Sequence, residues 1–478
     1  MSTASRRRPS GTWVPWVLGC AGLAAASLAV PATLGYDPWA WLVWGREVGR
    51  GALDTTGGPS WKPLPVALTV LLAPLGDLAV PAFQVLARTG SLLAVVGVAR
   101  LAARLGGTGA AAVAVALLVL TPDGDPRFVR LVLEGHEAPW SAGLAAAALL
   151  ALLDRRPGPA LVWTWLLALL RPEAWPFLLA LVGLRWPALL PRGRARRSAR
   201  SWLPGPPARR SWAVAALASI PVLWFVPDWI GSGSPFHGAG TAQVLADEPA
   251  GQRLAESVAT FAGAVPAPAW ALAGLAVWLG RRAGDRSRAW LAGGALAWGV
   301  LVVAMAATLG YAAIGRFFLP SAAVLVALAG AGAVDAVGAL RRGRDGRRVA
   351  VAAVAAMAAA ALLVPRVAGI PDVVDEVADR AQLADDLREV IDRSGGPDRL
   401  AGCGAAVVTA RTLLRSAAAW ELDLPLHAVQ RAVPEGPAAL LLESRRAAEE
   451  ARRTPGTVEL GVSGRWIAFA ARCPPPAG

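Results

Sequence analysis

The stretch RRRPSGTWVPWVLGCAGLAAASLAVPATLGYDPWAWLVWG (residues 6–45) joins three arginines, a long apolar run and an acidic, tryptophan-rich segment. The apolar run, residues 13–34, carries no charge and is long enough to cross a bilayer as a helix, which needs roughly 17–25 residues. It lacks an A-x-A cleavage site before Tyr36, so we predict an uncleaved transmembrane helix rather than a signal peptide. The three arginines place the N-terminus in the cytoplasm.

The composition extends this prediction to most of the chain. Of its 478 residues, 55% are hydrophobic and 17% charged, and the mean hydropathy is +0.48, which predicts that membrane lipids surround much of the protein. Similar apolar runs recur along residues 13–365. The net charge of +14 would suit a nucleic-acid partner. The arginines, however, lie in loops between apolar runs, a pattern typical of cytoplasmic loops, so we expect no nucleic acid.

The arginine clusters predict about eleven transmembrane helices. Residues 63–77 are predicted to lie at the outer surface or to dip into the membrane, because Arg100 and Arg104 then fall inside. The predicted crossings are 13–34, 78–103, 107–121, 139–153, 158–170, 174–190, 212–229, 258–280, 289–309, 317–335 and 349–365. An odd number places the C-terminus outside the plasma membrane.

The chain changes character after residue 365. Residues 372–396 predict a charged amphipathic helix, and residues 405–409, 437–444 and 457–473 predict strands, with helical stretches near 411–420 and 444–453. We therefore predict an all-α polytopic membrane domain (1–365, first outer loop 35–77) and a small soluble extracytoplasmic α/β domain (366–478). Cys403 and Cys473 flank its strands and are either two buried thiols or a disulfide joining its ends.

The candidate chemistry lies on the outer side. Asp37 follows the first helix, Glu47 lies in an aromatic amphipathic stretch, and Lys62-Pro63-Leu64 precedes a short apolar segment. Taken alone, the tryptophans are interfacial anchors and Asp37 is a solvated acid. The order of these features resembles the GT-C superfamily of membrane glycosyltransferases, which use polyprenyl-phosphate sugars and carry their catalytic acid in the first outer loop. Protein O-mannosyltransferases and lipid A aminoarabinose transferases share the segment after that acid.

Further motifs resemble the actinobacterial arabinofuranosyltransferases of cell wall biogenesis. Gly135-His136-Glu137-Ala138-Pro139 matches their G-x-E-x-P/A element, and Arg171-Pro172-Glu173 matches their R-P-E element. Residues 228–243 resemble their Y-G-S-P-x-P-N-T loop, and residues 315–328 their G-R-Y-x-x-P helix start. The resemblance covers residues 35–330.

The resemblance implies an inverting glycosyltransferase that moves a pentose or hexose from a polyprenyl-phosphate donor to a hydroxyl of a glycan, glycolipid or protein acceptor. Asp37 would be the general base, and a cation would offset the charge developing on the leaving phosphate. Arg316 is the first candidate for that cation, followed by Arg171 and Lys62; snorkelling at a helix end is the alternative for each. Glu137, Glu173 and His237 are further candidate substrate-binding residues.

No cofactor is certain from the sequence. Asp123 and Asp125 form a DxD pair that could bind Mg²⁺ or Mn²⁺, but TPDGDP is also ordinary turn sequence. Glu134 and Glu137 could equally complement a helix dipole. A transporter or lipid flippase is the alternative function, but it predicts charges in mid-helix and a two-fold repeat, neither of which is evident. A scaffold without chemistry would leave the outer acids and cations unexplained.

Overall fold

A computed structural model of the chain describes residues 13–120, 128–183, 208–341, 363–403, 405–408, 412–430 and 436–473. Helices dominate up to residue 341. They are α1 (Val14–Ala26), α2 (Tyr36–Arg50), α3 (Pro63–Leu72), α4 (Ala79–Val119), α5 (Phe128–Leu133), α6 (Ala138–Leu153), α7 (Pro157–Ala168), α8 (Trp175–Gly183), α9 (Ala208–Ser232), α10 (His237–Thr241), α11 (Ala250–Ala262), α12 (Ala267–Arg282), α13 (Ser287–Leu309) and α14 (Leu319–Arg341).

Four helical segments among the described residues are long and apolar enough to cross a membrane. They are Pro63–Val119, Trp212–Ser232, Ser287–Leu309 and Gly315–Leu340, and the pair α11 and α12 adds a fifth if it counts as one span. The shorter apolar helices include α6, whose 16 residues fall short of a typical span. The count of eleven crossings therefore stays a prediction, and the crossing predicted at 349–365 lies largely outside the described residues.

The crossing predicted at 258–280 is wrong as a single helix. The structure has two helices there, α11 and α12, bent by 72° at the segment between them. Pro266 explains the break, because proline has no N–H to donate and forces the preceding residue out of the helical region. Pro266 itself is extended, with φ −58° and ψ 146°. The predicted break between 103 and 107 does occur within α4, at Gly107, whose φ of 80° suits glycine best.

The tail forms a mixed sheet flanked by helices. Its elements are α15 (Ile370–Arg393), α16 (Pro397–Ala401), β1 (Ala405–Val408), α17 (Thr412–Glu421), β2 (Val429–Gln430), β3 (Ala438–Leu442), α18 (Arg445–Arg453), β4 (Thr457–Ser463) and β5 (Trp466–Ala471). The strand order is β2-β1-β3-β5-β4; β1 pairs in parallel with β2 and β3, and β5 is antiparallel to β3 and β4. The predicted helices and the strands predicted at 405–409 and 437–444 are confirmed. The strand predicted at 457–473 is instead a hairpin of β4 and β5, and the two-residue β2 and the short α16 were missed.

Cys403 and Cys473 form a disulfide, with their Cα atoms 5.0 Å apart. This distance lies within the usual range for disulfides. Of the two alternatives left open by the sequence, the structure therefore has the bridge, and it joins the residues that precede β1 and follow β5.

The tail packs directly on the first outer loop. Arg46 of α2 donates hydrogen bonds to the carbonyls of Trp420 and Leu424 and forms an ion pair with Asp423 at 2.9 Å. One continuous hydrophobic core contains Trp41 of α2 together with residues of α15, α17, β3 and β5. Because the cores are shared, the tail holds the first outer loop in place, although the domain boundary at 365 stays a prediction.

Candidate functional site

Five charged side chains meet at the ends of five helices. All have at most one fifth of the side chain exposed, and they belong to segments far apart in sequence: Asp37 (first turn of α2), Lys62 (before α3), Glu137 (before α6), Arg171 (after α7) and Arg316 (in the 3-10 turn Gly315–Phe318 before α14). A helix end brings a side chain beyond the packed cylinder, so a cluster of ends can surround a cavity.

Proline sets the position of two of these side chains. Lys62 and Arg171 directly precede Pro63 and Pro172, the first residues of α3 and of the short 3-10 turn Pro172–Ala174. A residue before proline is forced into the extended region, and both residues are extended, with ψ values of 114° and 120°. Each basic residue therefore lies just before the helix that follows, and both side chains contact Glu137.

The five groups alternate in charge along one chain of contacts. Arg316 Nη2 lies 3.2 Å from Asp37 Oδ2, and Lys62 Nζ lies 3.3 Å from the same oxygen. Lys62 Nζ also lies 2.6 Å from Glu137 Oε1, and Arg171 Nη2 lies 2.8 Å from that oxygen. Each carboxylate thus contacts two cations through one oxygen atom, and the five groups together carry one net positive charge.

This arrangement keeps both carboxylates ionised. Burial opposes ionisation of Asp37, but Arg316 and Lys62 outweigh it and hold the pKa of Asp37 below its usual value. Burial likewise opposes ionisation of Glu137, yet Lys62 and Arg171 hold its pKa well below the usual value. Asp37 can therefore accept a proton at neutral pH, as a general base must.

Some of the hydrogen-bonding capacity of the cluster is unused. Nε and Nη1 of Arg171, Nε of Arg316 and Oε2 of Glu137 are buried without a hydrogen-bond partner among the described residues. Buried polar groups are normally paired. Unpaired guanidinium donors beside a cavity are therefore suited to bind an anionic ligand.

The cluster forms one wall of a cavity of about 540 Å³. Asp37, Lys62, Arg171 and Arg316 line that wall. The remainder is largely aromatic and apolar, and it includes Trp61, Trp175, Trp224, Phe236 and Tyr311. A volume of this size suits a small-molecule ligand, and aromatic faces beside charged groups suit a sugar attached to a phosphate.

Two predicted residues lie outside the chain of contacts. Glu173 is fully buried and accepts a hydrogen bond from the Tyr311 hydroxyl at 3.3 Å. Burial raises the pKa of Glu173. Burial and the charge of Glu173 together raise the pKa of Tyr311. His237 begins α10 and is not among the residues that line the cavity. Substrate-binding roles for both stay predictions.

The sequence interpretation missed Asp228 as a site residue. Asp228 lines the cavity, is 3% exposed, and accepts a hydrogen bond from the Gly238 amide at 2.7 Å. The signal was the DWIGSGSPFHG segment, residues 228–238, which pointed to this region without singling out its acid.

Glu47 lies apart from this cavity. Its Oε2 accepts a hydrogen bond from the Asp54 amide at 3.0 Å, and its Oε1 is buried without a partner among the described residues. Burial raises the pKa of Glu47 from 4.5 to about 7. An acid with a raised pKa binds its proton more tightly in the folded state, so the free energy of unfolding should decrease as the pH rises from 4.5 to 7.

We expect Glu47→Gln to abolish this decrease in the free energy of unfolding at higher pH, because the glutamine amide stays neutral. The gain at pH 8 should reach up to about 3 kcal/mol, with little change at pH 4.5, measured by thermal unfolding in detergent. The exposed Glu450→Gln variant is the control. Equal effects of Glu47→Gln on stability at both pH values would contradict the raised pKa of Glu47.

The cluster does not suit a divalent ion. Asp37, His136 and Glu137 each offer one ligand atom, and these atoms lie within 4.8 Å of one another. However, Lys62 already contacts both carboxylates, and Arg316 Nη1 lies 3.2 Å from His136 Nδ1. A metal there would meet two fixed positive charges. The predicted ligands Asp123 and Asp125 lie outside the described residues.

The overall fold is similar to that of two solved structures. The crystal structure of ArnT from Cupriavidus metallidurans bound to undecaprenyl phosphate has a TM-score of 0.58 and 16% identity, over 97% of this chain and 99% of that one. The apo state of the same protein has a TM-score of 0.50 and 15% identity, over the same shares. The chain has the GT-C fold. No protein-family model matches the sequence, and no curated protein matches it in sequence.

This likeness confirms the fold that the GT-C resemblance implied, and the activity that the resemblance implied stays a prediction. The likeness does not test the closer resemblance to arabinofuranosyltransferases. The alternating cluster contains Asp37, the acid to which the GT-C resemblance assigned the chemistry; its catalytic role stays a prediction.

Proposed function

We propose that the chain is an inverting glycosyltransferase, which moves a sugar from a polyprenyl-phosphate donor to an acceptor hydroxyl on the outer face of the plasma membrane. The observation that carries the proposal is Asp37, an ionised acid held between Arg316 and Lys62 on the wall of the cavity. The ArnT structure with undecaprenyl phosphate supports the choice of donor class.

In the proposed reaction the carboxylate and the cations of the cluster have separate roles. Asp37 accepts the proton of the acceptor hydroxyl while the oxygen of that hydroxyl bonds to the anomeric carbon. The bond from that carbon to the phosphate oxygen breaks on the opposite face, which inverts the anomeric configuration. Arg316, Lys62 and Arg171 stabilise the negative charge that develops on the departing polyprenyl phosphate.

The finer assignments belong to the same proposal. We propose a pentose, in first place an arabinofuranose, as the sugar, with a hexose as the alternative, and a cell-envelope glycan or glycolipid as the acceptor, with a protein hydroxyl as the alternative. The N-terminus is cytoplasmic and the tail is extracytoplasmic. These assignments rest on the motifs at residues 135–139, 171–173, 228–243 and 315–328.

A transfer assay tests the proposal. Purified protein in lipid nanodiscs would receive polyprenyl-phosphate arabinofuranose, or a hexose equivalent, together with a glycan acceptor. We expect free polyprenyl phosphate and a product of inverted anomeric configuration. Retention of configuration would contradict the mechanism. In sealed proteoliposomes of the same protein, movement of the intact donor across the bilayer without transfer would instead support the flippase alternative.

We further propose that transfer needs no divalent ion, because the Lys62 ammonium lies between the two carboxylates that would otherwise bind one. Transfer should stay within about twofold of its initial rate after EDTA treatment. Lys62→Met should lower transfer by roughly 10²-fold, and added Mg²⁺ or Mn²⁺ should not restore it. Loss of activity in EDTA that is reversed by Mg²⁺ or Mn²⁺ would overturn this proposal.

A further inference from the structure

An ion pair links the tail to the segment between α5 and α6. Arg380, on α15, forms an ion pair with Glu134, which lies between α5 and α6. Arg380 also pairs with Glu376 at 2.7 Å on its own helix, and Glu376 pairs with Arg130 of α5. Glu134 has only 5% of its side chain exposed, and truncating one partner of a buried charged pair is costly.

Glu134 in turn contacts His136. The His136 Nε2 atom lies 3.4 Å from Glu134 Oε2, and His136 Nδ1 lies 3.2 Å from Arg316 Nη1. A guanidinium can only donate hydrogen bonds. His136 Nδ1 must therefore accept from Arg316, so the remaining nitrogen carries the proton and faces the Glu134 carboxylate.

Arg316 is thereby fixed on two sides. Its Nη1 donates to His136, and its Nη2 contacts Asp37 at 3.2 Å. The contacts form a continuous series from the tail to the proposed base: Arg380, Glu134, His136, Arg316 and Asp37. Backbone packing supports the same series, because the Gly35 amide donates to the Glu134 carbonyl at 2.8 Å.

We propose that the tail is part of the catalytic apparatus, and that Arg380 is a positioning residue that orients Arg316 through Glu134 and His136. This inference rests on the proposed function, in which Arg316 contacts the donor phosphate. Without Arg380, Glu134 loses its ion-pair partner on α15 and can turn away from His136, which then no longer holds the Arg316 fork towards the leaving group. A misplacement of about 1 Å can cost about 10²-fold in rate.

Arg380→Ala tests the inference. We expect kcat to fall by about 10- to 100-fold with the acceptor KM nearly unchanged. The unfolding temperature should decrease, because Glu134 keeps a buried charge without its partner on α15, and Arg380→Lys should recover part of the rate because it keeps the charge. Arg388→Ala is the matched control: Arg388 lies on the same helix and pairs with Glu421 within the tail. Its rate should match that of the wild type.

Gly35→Ala provides a second test that removes no charge. A Cβ at Gly35 would lie 2.5 Å from His136 Nε2, so the imidazole must move. The backbone of Gly35, with φ −71° and ψ 174°, accepts alanine without strain. We expect a similar fall in kcat, and little further loss when Gly35→Ala is combined with Arg380→Ala.

The outcomes separate the two proposals. A wild-type protein that transfers no sugar overturns the proposed function and this inference together. An active wild type with undiminished kcat in both Arg380→Ala and Gly35→Ala overturns this inference alone. If Arg380→Ala lowers the unfolding temperature, Gly35→Ala decides, and multiplicative losses in the double variant would show that the two sites act separately.

Discussion

Asp37→Asn should lower the rate of sugar transfer by roughly 10²–10⁴-fold. Asparagine keeps the size and hydrogen-bonding shape of the side chain but cannot accept the acceptor proton. Asp37 is buried and contacts both Lys62 and Arg316, and among the described residues the only other acid that lines the cavity is Asp228. Membrane insertion should be unchanged. The measurement is transfer by purified protein from a polyprenyl-phosphate sugar.

Asp77→Asn is the control for this variant, because Asp77 also lies in the first outer loop but is exposed and does not line the cavity. Transfer at the wild-type rate by Asp37→Asn would refute the assignment of Asp37 as the general base. The proton acceptor would then be sought at Glu137 and at Asp123, which lies outside the described residues; Glu47, first in the order suggested by the sequence, lies apart from the cavity.

Arg316→Ala should lower kcat/KM for the donor by about 10²–10³-fold, the loss typical for removing one donor to a developing negative charge. Arg316→Lys should recover only part of this. A single ammonium cannot reproduce a planar fork that contacts His136 Nδ1 and Asp37 Oδ2 at once. Both variants are measured by steady-state transfer with varied donor concentration.

Arg281→Ala, a change at an exposed arginine in the last turn of α12, is the control. Complete rescue by lysine would show that charge alone matters at residue 316. An unchanged donor kcat/KM in Arg316→Ala would move the phosphate site to Arg171 and Lys62, whose side chains line the same wall.

Several residues of the candidate site could be singled out from the sequence because they follow local signals. Lys62 and Arg171 stand before prolines, and Asp37 and Glu137 lie next to helix starts, so their positions at helix ends are visible in the sequence. Their outer location is a prediction from the arginine clusters. What these signals could not give was the alternation of charge, which depends on how five helix ends pack together.

Two other features were beyond the sequence. The contact from Arg380 to Glu134 joins residues 246 positions apart, and nothing in the amphipathic pattern of residues 372–396 distinguishes Arg380 from the other arginines of that helix. The bend between α11 and α12 was missed because a hydropathy window runs through Pro266 without registering its lost N–H. Hydropathy measures how apolar a segment is and carries no information on whether the helix bends.

Lys62 gives the molecule a built-in reporter. It is the only lysine in the chain, and its ammonium lies 7% exposed between Asp37 and Glu137. Reagents that acylate or reductively methylate amines can therefore mark only this side chain and the N-terminal amine. Isotope-labelled methyl groups placed there would give one side-chain resonance, and its chemical shift would follow occupancy of the cavity without any engineered residue.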